Sequence, residues 1–164
     1  MFSGAAVVMG VASSGKTTLG EALAKRLGVK FVEGDALHSP ENVAKMSHGT
    51  ALTDEDRWPW LQRIGESLKG PEGCIASCSA LKRIYRQRII EAAGRPVSFV
   101  HLFGPRRILE SRIARRKGHF MPPSLLDSQL KTLEIPGADE RAITIDIAQP
   151  IEAQVEQALR FLRG

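Results

Sequence analysis

Apolar positions along this chain switch repeatedly between two rhythms. Short unbroken apolar runs alternate with stretches in which apolar residues recur every three to four positions. Ala5–Met9 is the first such run, and Leu19, Leu23 and Leu27 then stripe a helix that Gly28 ends. Val29–Glu33 predicts a second strand. Pro40–Ser47 and Glu55–Leu68 read as helices, with Pro59 either in a first turn or at a kink. Cys74–Cys78 predicts the third strand, the stripe Leu81, Tyr85, Ile89, Ala92 a helix, and Val97–Phe103 the fourth strand. A helix over Ile108–Arg116 leads into Lys117–Pro123, whose glycine and paired prolines predict a mobile loop. Leu125–Leu133 is helical again, Ile143–Ile147 is a fifth strand, and Ile151, Val155, Leu159 and Leu162 stripe a closing helix.

Strands alternating with helices predict an α/β fold with a parallel five-stranded sheet covered on both faces. Ligands of such sheets bind at the carboxyl ends of the strands. The 164 residues show no repeat, low-complexity tract or linker, and they suit a single domain. An apolar fraction of 43% and a charged fraction of 25% are those of an ordinary globular chain. No run approaches the ~18 apolar residues of a membrane span. The first ten residues lack the basic and apolar regions of a leader and run straight into a motif, so the expectation is a cytoplasmic protein with no membrane partner. Cys74 and Cys78 have neither redox-pair nor zinc-set spacing and read as buried free thiols.

The net charge of +5 is unevenly placed: residues 82–117 hold 11 Lys/Arg against Glu91 and Glu110, while residues 1–70 balance at eight of each sign. Local basicity suits either nucleic acid or a polyphosphate ligand. The segment offers only Tyr85, Phe99 and Phe103 as aromatics, and the last two fall in an apolar strand, which leaves base stacking little to use.

Gly10-Val11-Ala12-Ser13-Ser14-Gly15-Lys16-Thr17 satisfies G-x-x-x-x-G-K-[ST]. Its glycines let the backbone turn its N–H groups toward a β-phosphate. Lys16 adds a point charge toward the β- and γ-phosphates, and the Thr17 hydroxyl is a Mg²⁺ ligand. The following helix aims its positive end at the same anion. Four specified positions match by chance in well under about one such chain in a hundred, so the motif points firmly to a nucleoside triphosphate.

Asp35 falls at the carboxyl end of the second strand, where a carboxylate orients an acceptor hydroxyl or caps a turn. His38 is either beside it in the site or a capping residue. Arg57 begins a helix beside this region, where it can pair with Asp54. Ser77, Ser79 and Lys82 follow the third strand, with Ser79 also suited to an N-cap, and Arg86 lies one turn beyond Lys82. Trp58 and Trp60 read as core or pocket wall. Arg112 and Arg116 share a helix face leading to the loop, whereas Arg106, Arg107 and Arg115 read as a solvated basic face. No acidic residue ends the third strand to secure Mg²⁺. Thr17, phosphates and water must then hold it, with Asp35 or Glu33 behind them.

Several longer blocks resemble the gluconokinase family. They are Gly34-Asp35-x-Leu37-His38, Asn42, Lys45-Met46, Gly49, Leu52-Thr53-Asp54-x-Asp56-Arg57-x-Pro59-Trp60-Leu61 and Ser77-Cys78-Ser79-Ala80-Leu81-Lys82-x-x-Tyr85-Arg86. His119-Phe120-Met121-Pro122, Leu125-Leu126-x-Ser128-Gln129 and Thr132-Leu133-Glu134 complete the series, in order, from residue 7 to about residue 147. The chain departs from the family with Ala12-Ser13 where Ser-Gly is usual, with Ser39, and with Leu130 where Phe is common. At position 13 a serine costs steric energy if φ is positive.

The resemblance implies a P-loop NTPase three-layer fold with a mobile lid at about 117–125. It implies ATP-dependent transfer to the 6-hydroxyl of D-gluconate with Mg²⁺, and a homodimer. It places Lys16, Asp35 and Arg116 at the chemistry, with ATP on Gly10, Val11, Ala12, Ser13, Ser14, Gly15, Lys16, Thr17, Thr18 and Arg112. The acceptor would lie on Asp35, His38, Lys45, Arg57, Ser79, Lys82, Arg86, His119 and Gln129. A kinase for a related sugar acid or for shikimate, and a nucleotide-dependent RNA-binding module, are the competing readings.

Overall fold

The buried apolar runs form one parallel sheet of order β2-β3-β1-β4-β5. The computed structural model describes residues 1–115 and 123–164. Its strands are β1 (Ala5–Met9), β2 (Lys30–Glu33), β3 (Cys74–Ser77), β4 (Val97–Phe103) and β5 (Ala142–Asp146). The helices are α1 (Lys16–Leu27), α2 (Pro40–Ser47), α3 (Asp54–Ser67), α4 (Arg83–Ala93), α5 (Arg106–Arg115), α6 (Pro123–Thr132) and α7 (Ile151–Arg163). In β1 every residue is buried, which is why its sequence shows no alternation. Ala6 and Val8 face α1 and α7 in one apolar layer, while Ala5, Val7 and Met9 face α3 and α4 in the other. Helices on both faces of a parallel sheet make the three-layer P-loop kinase fold.

Chain order reverses across β1, which pairs with β3 on one side and β4 on the other. The loops leaving β1, β2 and β3 therefore converge at one edge, the crevice where such sheets bind ligands. Local chemistry fixes the helix starts there. Ser39 accepts from Asn42 N–H at 3.1 Å to open α2, and Thr53 and Asp56 form a reciprocal cap on α3. Pro59 is the sixth residue of α3 rather than part of its first turn. The carbonyl it leaves without an N–H partner belongs to Glu55, an exposed residue that water can serve. The structure also moves the start of α4. Ser79 does not cap this helix, because Ala80 turns into the left-handed region at φ 47 and the helix begins only at Arg83. The carboxylate of Glu134, 51 residues away, accepts from Arg83 N–H at 3.0 Å and takes the capping role. Cys74 and Cys78 are free and buried, as their spacing suggested, and burial pushes the Cys78 thiol up to about 12.

Candidate active site

Gly10 leaves β1 where any side chain is excluded: a Cβ there would lie 2.8 Å from the Leu102 carbonyl oxygen and 2.7 Å from Ser14 Oγ. The loop then winds through Ser13 at φ 65 and Gly15 at φ 99 into α1. Ser13 thus occupies the left-handed region where the family usually has glycine, and it carries that steric cost. No acidic residue stands in the first turn of α1 and no side chain caps it, so its N–H groups face the loop's hollow. Lys16 Nζ donates to Val11 O at 2.9 Å, arching over the loop. Arg112 donates to Ser13 O (3.2 Å), Ser14 O (3.1 Å) and Ile147 O (3.2 Å), which braces the cradle from behind. Gln129 Oε1 accepts from Ala12 N–H at 2.7 Å, bringing α6 to the same loop.

Over this cradle lies a cavity of about 590 Å³ lined by residues 12–18 of the loop, by Asp35, and by Arg112, Arg115, Gln149, Ile151 and Gln154. A slightly larger hollow of about 660 Å³ opens at the opposite edge of the sheet, around Met1–Ala5 and Pro96, and touches no part of the cradle. We place the chemistry at the first cavity because only there do loop N–H groups, cations and a carboxylate converge.

Thr17 Oγ1 donates to Glu33 Oε2 at 2.5 Å, and Glu33 Oε1 accepts from Ser77 Oγ at 2.6 Å. Gly34 permits this arrangement, since a Cβ there would sit 1.8 Å from Ser77 O and drive the ends of β2 and β3 apart. A hydroxyl and a carboxylate at the rim of a phosphate cradle are the hard oxygen donors that Mg²⁺ takes. Among the described residues no cluster of three or more His, Cys, Asp or Glu could hold a metal by itself. The donor set fits an ion shared with phosphate oxygens, and Glu33 rather than Asp35 is the carboxylate that touches Thr17.

Asp35 lies in a 3-10 turn (Gly34–Leu37) at the cavity wall, and its carboxylate makes no hydrogen bond among the described residues. It therefore caps nothing and is open to an incoming group. His38 stacks on Trp60 at a ring separation of 3.9 Å. Asn42 donates one amide hydrogen to Asp56 O (2.9 Å) and the other to His38 Nδ1 (3.2 Å). That pairing makes Nδ1 the acceptor and leaves the imidazole proton on Nε2. Burial lowers His38 to about 4, with Asp35 pulling the other way, so near neutrality it is a hydrogen-bond donor without charge.

A cationic corner adjoins this wall. Arg57 Nη1 donates to Tyr85 Oη at 2.8 Å and lies 3.9 Å from Asp54, while Lys82 Nζ stands 3.7 Å from the same Asp54 oxygen. Tyr85 in turn donates to Asp54. That hydrogen bond, ahead of the two cations, holds the Asp54 carboxyl below its usual range. Burial first, then Asp54, pushes Tyr85 up to about 12. Two cations and a neutral phenol around a single carboxylate leave a surplus of positive charge. The Cys78 thiol at the end of β3 lies within the field of Asp35, Lys16 and Arg57 alike, which locates the three around one strand end.

Not every candidate arrives there. Gly10 and Val11 form the floor of the cradle rather than its lining, through Gly10 N–H to Ser79 O (3.3 Å) and Val11 O to Lys16. Thr18 does line the cavity. Ser79 is half-buried beside Gly10. Lys45 is spent on Asp56 at 2.8 Å, joining α2 to α3. Arg86 is 1% exposed, with its guanidinium committed to Glu140 and to backbone carbonyls. Arg116, His119 and most of the 117–125 lid lie outside the described residues. Arg106 is half-exposed, as a solvated face implies, and pairs there with Glu110 and Asp127. Arg115, by contrast, lines the cavity. Gln149, Ile151 and Gln154 line it too, and none belongs to a motif. They reach it because β5 ends beside β4, a neighbour relation no local pattern encodes.

Comparison with known proteins agrees with this geometry. A family model described as an AAA domain matches residues 6–136. Over 162 residues the chain is 48% identical to a gluconokinase of Gluconobacter oxydans, covering 96% of this chain and 90% of that protein. A crystal structure of a gluconokinase from Sinorhizobium meliloti 1021 superposes with a TM-score of 0.91 at 52% identity, covering 99% of this chain and 93% of the other. An unliganded sugar kinase structure from Janibacter sp. HTCC2649 gives 0.92 at 47% identity, with coverages of 98% and 95%. With a phosphate cradle, an open carboxylate and a cationic corner at one sheet edge, and with relatives of this identity along nearly its whole length, the chain belongs to the gluconokinase family.

Proposed function

We infer that this protein transfers the γ-phosphoryl group of ATP to the 6-hydroxyl of D-gluconate. The observation that carries the reading is the pairing of an open Asp35 carboxylate at the cradle wall with a cationic corner at Arg57 and Lys82. A polyol with one carboxylate asks for such a pair: a base for its reacting hydroxyl and positive charge for its acid end.

ATP would lie with its phosphates on residues 12–18 and its nucleoside toward Gln149, Ile151 and Gln154. Lys16 stands over the β- and γ-phosphates. Mg²⁺, held through Thr17 with Glu33 behind it, supplies charge neutralisation at the phosphates when bound. Asp35 orients the acceptor hydroxyl and takes its proton, and His38 Nε2–H donates to a neighbouring hydroxyl. Arg57 grips the gluconate carboxylate, displacing its contact with Asp54. Phosphoryl transfer has a loose transition state, so this positioning does most of the work. Arg116 and His119 keep the roles the resemblance implies for them, as does the lid it assigns to about 117–125. A cytoplasmic location and a homodimer complete the proposal, the homodimer on resemblance alone. Against the RNA-binding alternative, Tyr85 and Phe99 are each 1% exposed, which leaves Phe103 at 41% as the open ring, and Arg86, Arg83 and Arg112 are engaged with Glu140, Asp139 and the cradle in turn.

The test is product identity. Incubation with ATP, Mg²⁺ and gluconate should give ADP and one new phosphomonoester, whose ³¹P signal couples to the C6 protons. Single-stranded RNA should leave ADP release at its background rate. A phosphate at another carbon, or turnover with shikimate alone, would overturn the reading.

A further inference from the structure

The loop joining β3 to α4 holds an unusual combination. Ala80 is fully buried yet sits at φ 47, a conformation that puts its Cβ against the following carbonyl oxygen. On one side of it Ser79 O accepts from Gly10 N–H of the cradle, and on the other Lys82 reaches Asp54 in the cationic corner. An alanine stays in such a conformation only when its surroundings over-determine it.

Chief among those surroundings is one side chain. Arg86, 1% exposed, donates Nη1 to Ala80 O (2.8 Å) and to Leu81 O (3.3 Å). Its Nη2 reaches Glu134 O at 3.0 Å. Its Nε and Nη2 grip Glu140 at 2.6 and 3.1 Å, and the Glu140 side chain is itself only 12% exposed. Glu134 closes the ring by donating its N–H to Leu81 O at 2.7 Å and accepting from Arg83 N–H. A guanidinium suits this task because its planar fork serves carbonyls and a carboxylate at once, which a lysine ammonium cannot reproduce.

We propose that Arg86 and Glu140 are positioning residues for the acceptor. Clamping the 134–140 segment onto the carbonyls of Ala80 and Leu81, they hold the strained loop that carries Lys82 into the cationic corner. The proposal rests on the gluconate reading only for the name of the acceptor. The nucleotide cradle meets this loop through Gly10 N–H to Ser79 O but has further braces in Arg112 and Gln129, so the clamp bears mainly on the acceptor.

The test compares wild type with Glu140→Gln, Ala80→Gly and the double variant. Glu140→Gln should raise the KM for gluconate by roughly ten- to a hundredfold, the scale of a misplacement near 1 Å, and leave the KM for ATP within about twofold. Ala80→Gly alone should stay close to wild type. In the double variant it should restore much of the gluconate KM, because glycine adopts positive φ without a clamp. Amide exchange, which needs no substrate, should accelerate at Arg83 and Glu134 in Glu140→Gln and stay unchanged in the cradle beyond Gly10, whose N–H is tied to Ser79 O. If Glu140→Gln does not fold, Glu140→Asp keeps the charge, draws the guanidinium off the carbonyls, and is read in the same way. Parallel rises in both KM values, or a double variant no better than Glu140→Gln, would overturn the clamp. Wild type inert toward gluconate but showing the exchange result would overturn the acceptor assignment instead.

Discussion

The two halves of the site are built from different materials. The nucleotide half is mostly backbone from one stretch of eight residues, shaped by Gly10, Ser13 and Gly15 and aimed by the start of α1. The acceptor half is mostly side chain, gathered from β2's end, α3, and the β3–α4 loop. Arg57 and Tyr85, 28 residues apart, must meet at 2.8 Å before the corner exists. A backbone cradle is specified by local turn chemistry and tolerates variation in the side chains it does not use. A side-chain corner depends on the packing of the whole edge. The first half is therefore general for nucleotides, whereas selectivity for one acceptor resides in the second.

Substitutions in each half separate these properties. Lys16→Ala should have the largest effect, reducing turnover on the order of 10³-fold, because its charge matters most as phosphoryl charge redistributes. The fold should survive, since Lys16 Nζ contributes a bond to Val11 O and no core packing. Near-normal turnover in folded protein would break the cradle assignment. Asp35→Asn should lower kcat by roughly 10²-fold, in line with a lost general base, with ATP affinity intact. Loss of ATP binding in that variant would make Asp35 part of the nucleotide half and erase the division.

A smaller effect tests what lies beneath both halves. His101 on β4 is fully buried; its Nδ1 meets Thr144 Oγ1 at 3.3 Å, while Nε2 has no partner among the described residues. Burial first, then the Arg86 charge, lowers it to about 4. The unfolded chain, with an ordinary histidine near 6.5, takes up its proton before the folded one does. Stability is thus unaffected above pH 7 and falls as pH drops from about 6.5 toward 4. The loss attributable to His101 should be on the order of 2 kcal/mol at pH 5, or several degrees in Tm. His38, lowered in the same direction, adds to it. In His101→Leu the fall in Tm between pH 7 and pH 5 should be distinctly shallower. An equal fall would assign the acid sensitivity elsewhere.

The same division governs what could be read from the chain. Ala5–Met9 and the helix ending at Gly28 are local patterns, and the structure reproduces both. The cradle and Asp35 were legible because a motif or a strand end marks them. Arg86 was not, since a charged residue one turn after Lys82 shares its face and reads as a second contact to the acceptor. Only Glu140, 54 residues on, makes its burial affordable. The capping of α4 was misread for a similar reason, because Glu134 supplies from a distance what Ser79 seemed to offer locally. Lys45 carries nothing in its own sequence to tell a substrate contact from its tie to Asp56. Arg115 and Gln149 became part of the site only through the order of the strands.

The most direct test of the account is the ratio of kcat/KM for gluconate to that for glucose, measured with saturating ATP and Mg²⁺ on one preparation. Both offer a 6-hydroxyl to Asp35, gluconate as an open chain with a carboxylate for Arg57 and glucose as a pyranose ring without one. A charge-assisted hydrogen bond contributes about 1.5–3 kcal/mol, so the ratio should exceed roughly tenfold in wild type and collapse toward unity in Arg57→Leu. Equal values for the two substrates in wild type would contradict the account, because the cationic corner would then be reading nothing.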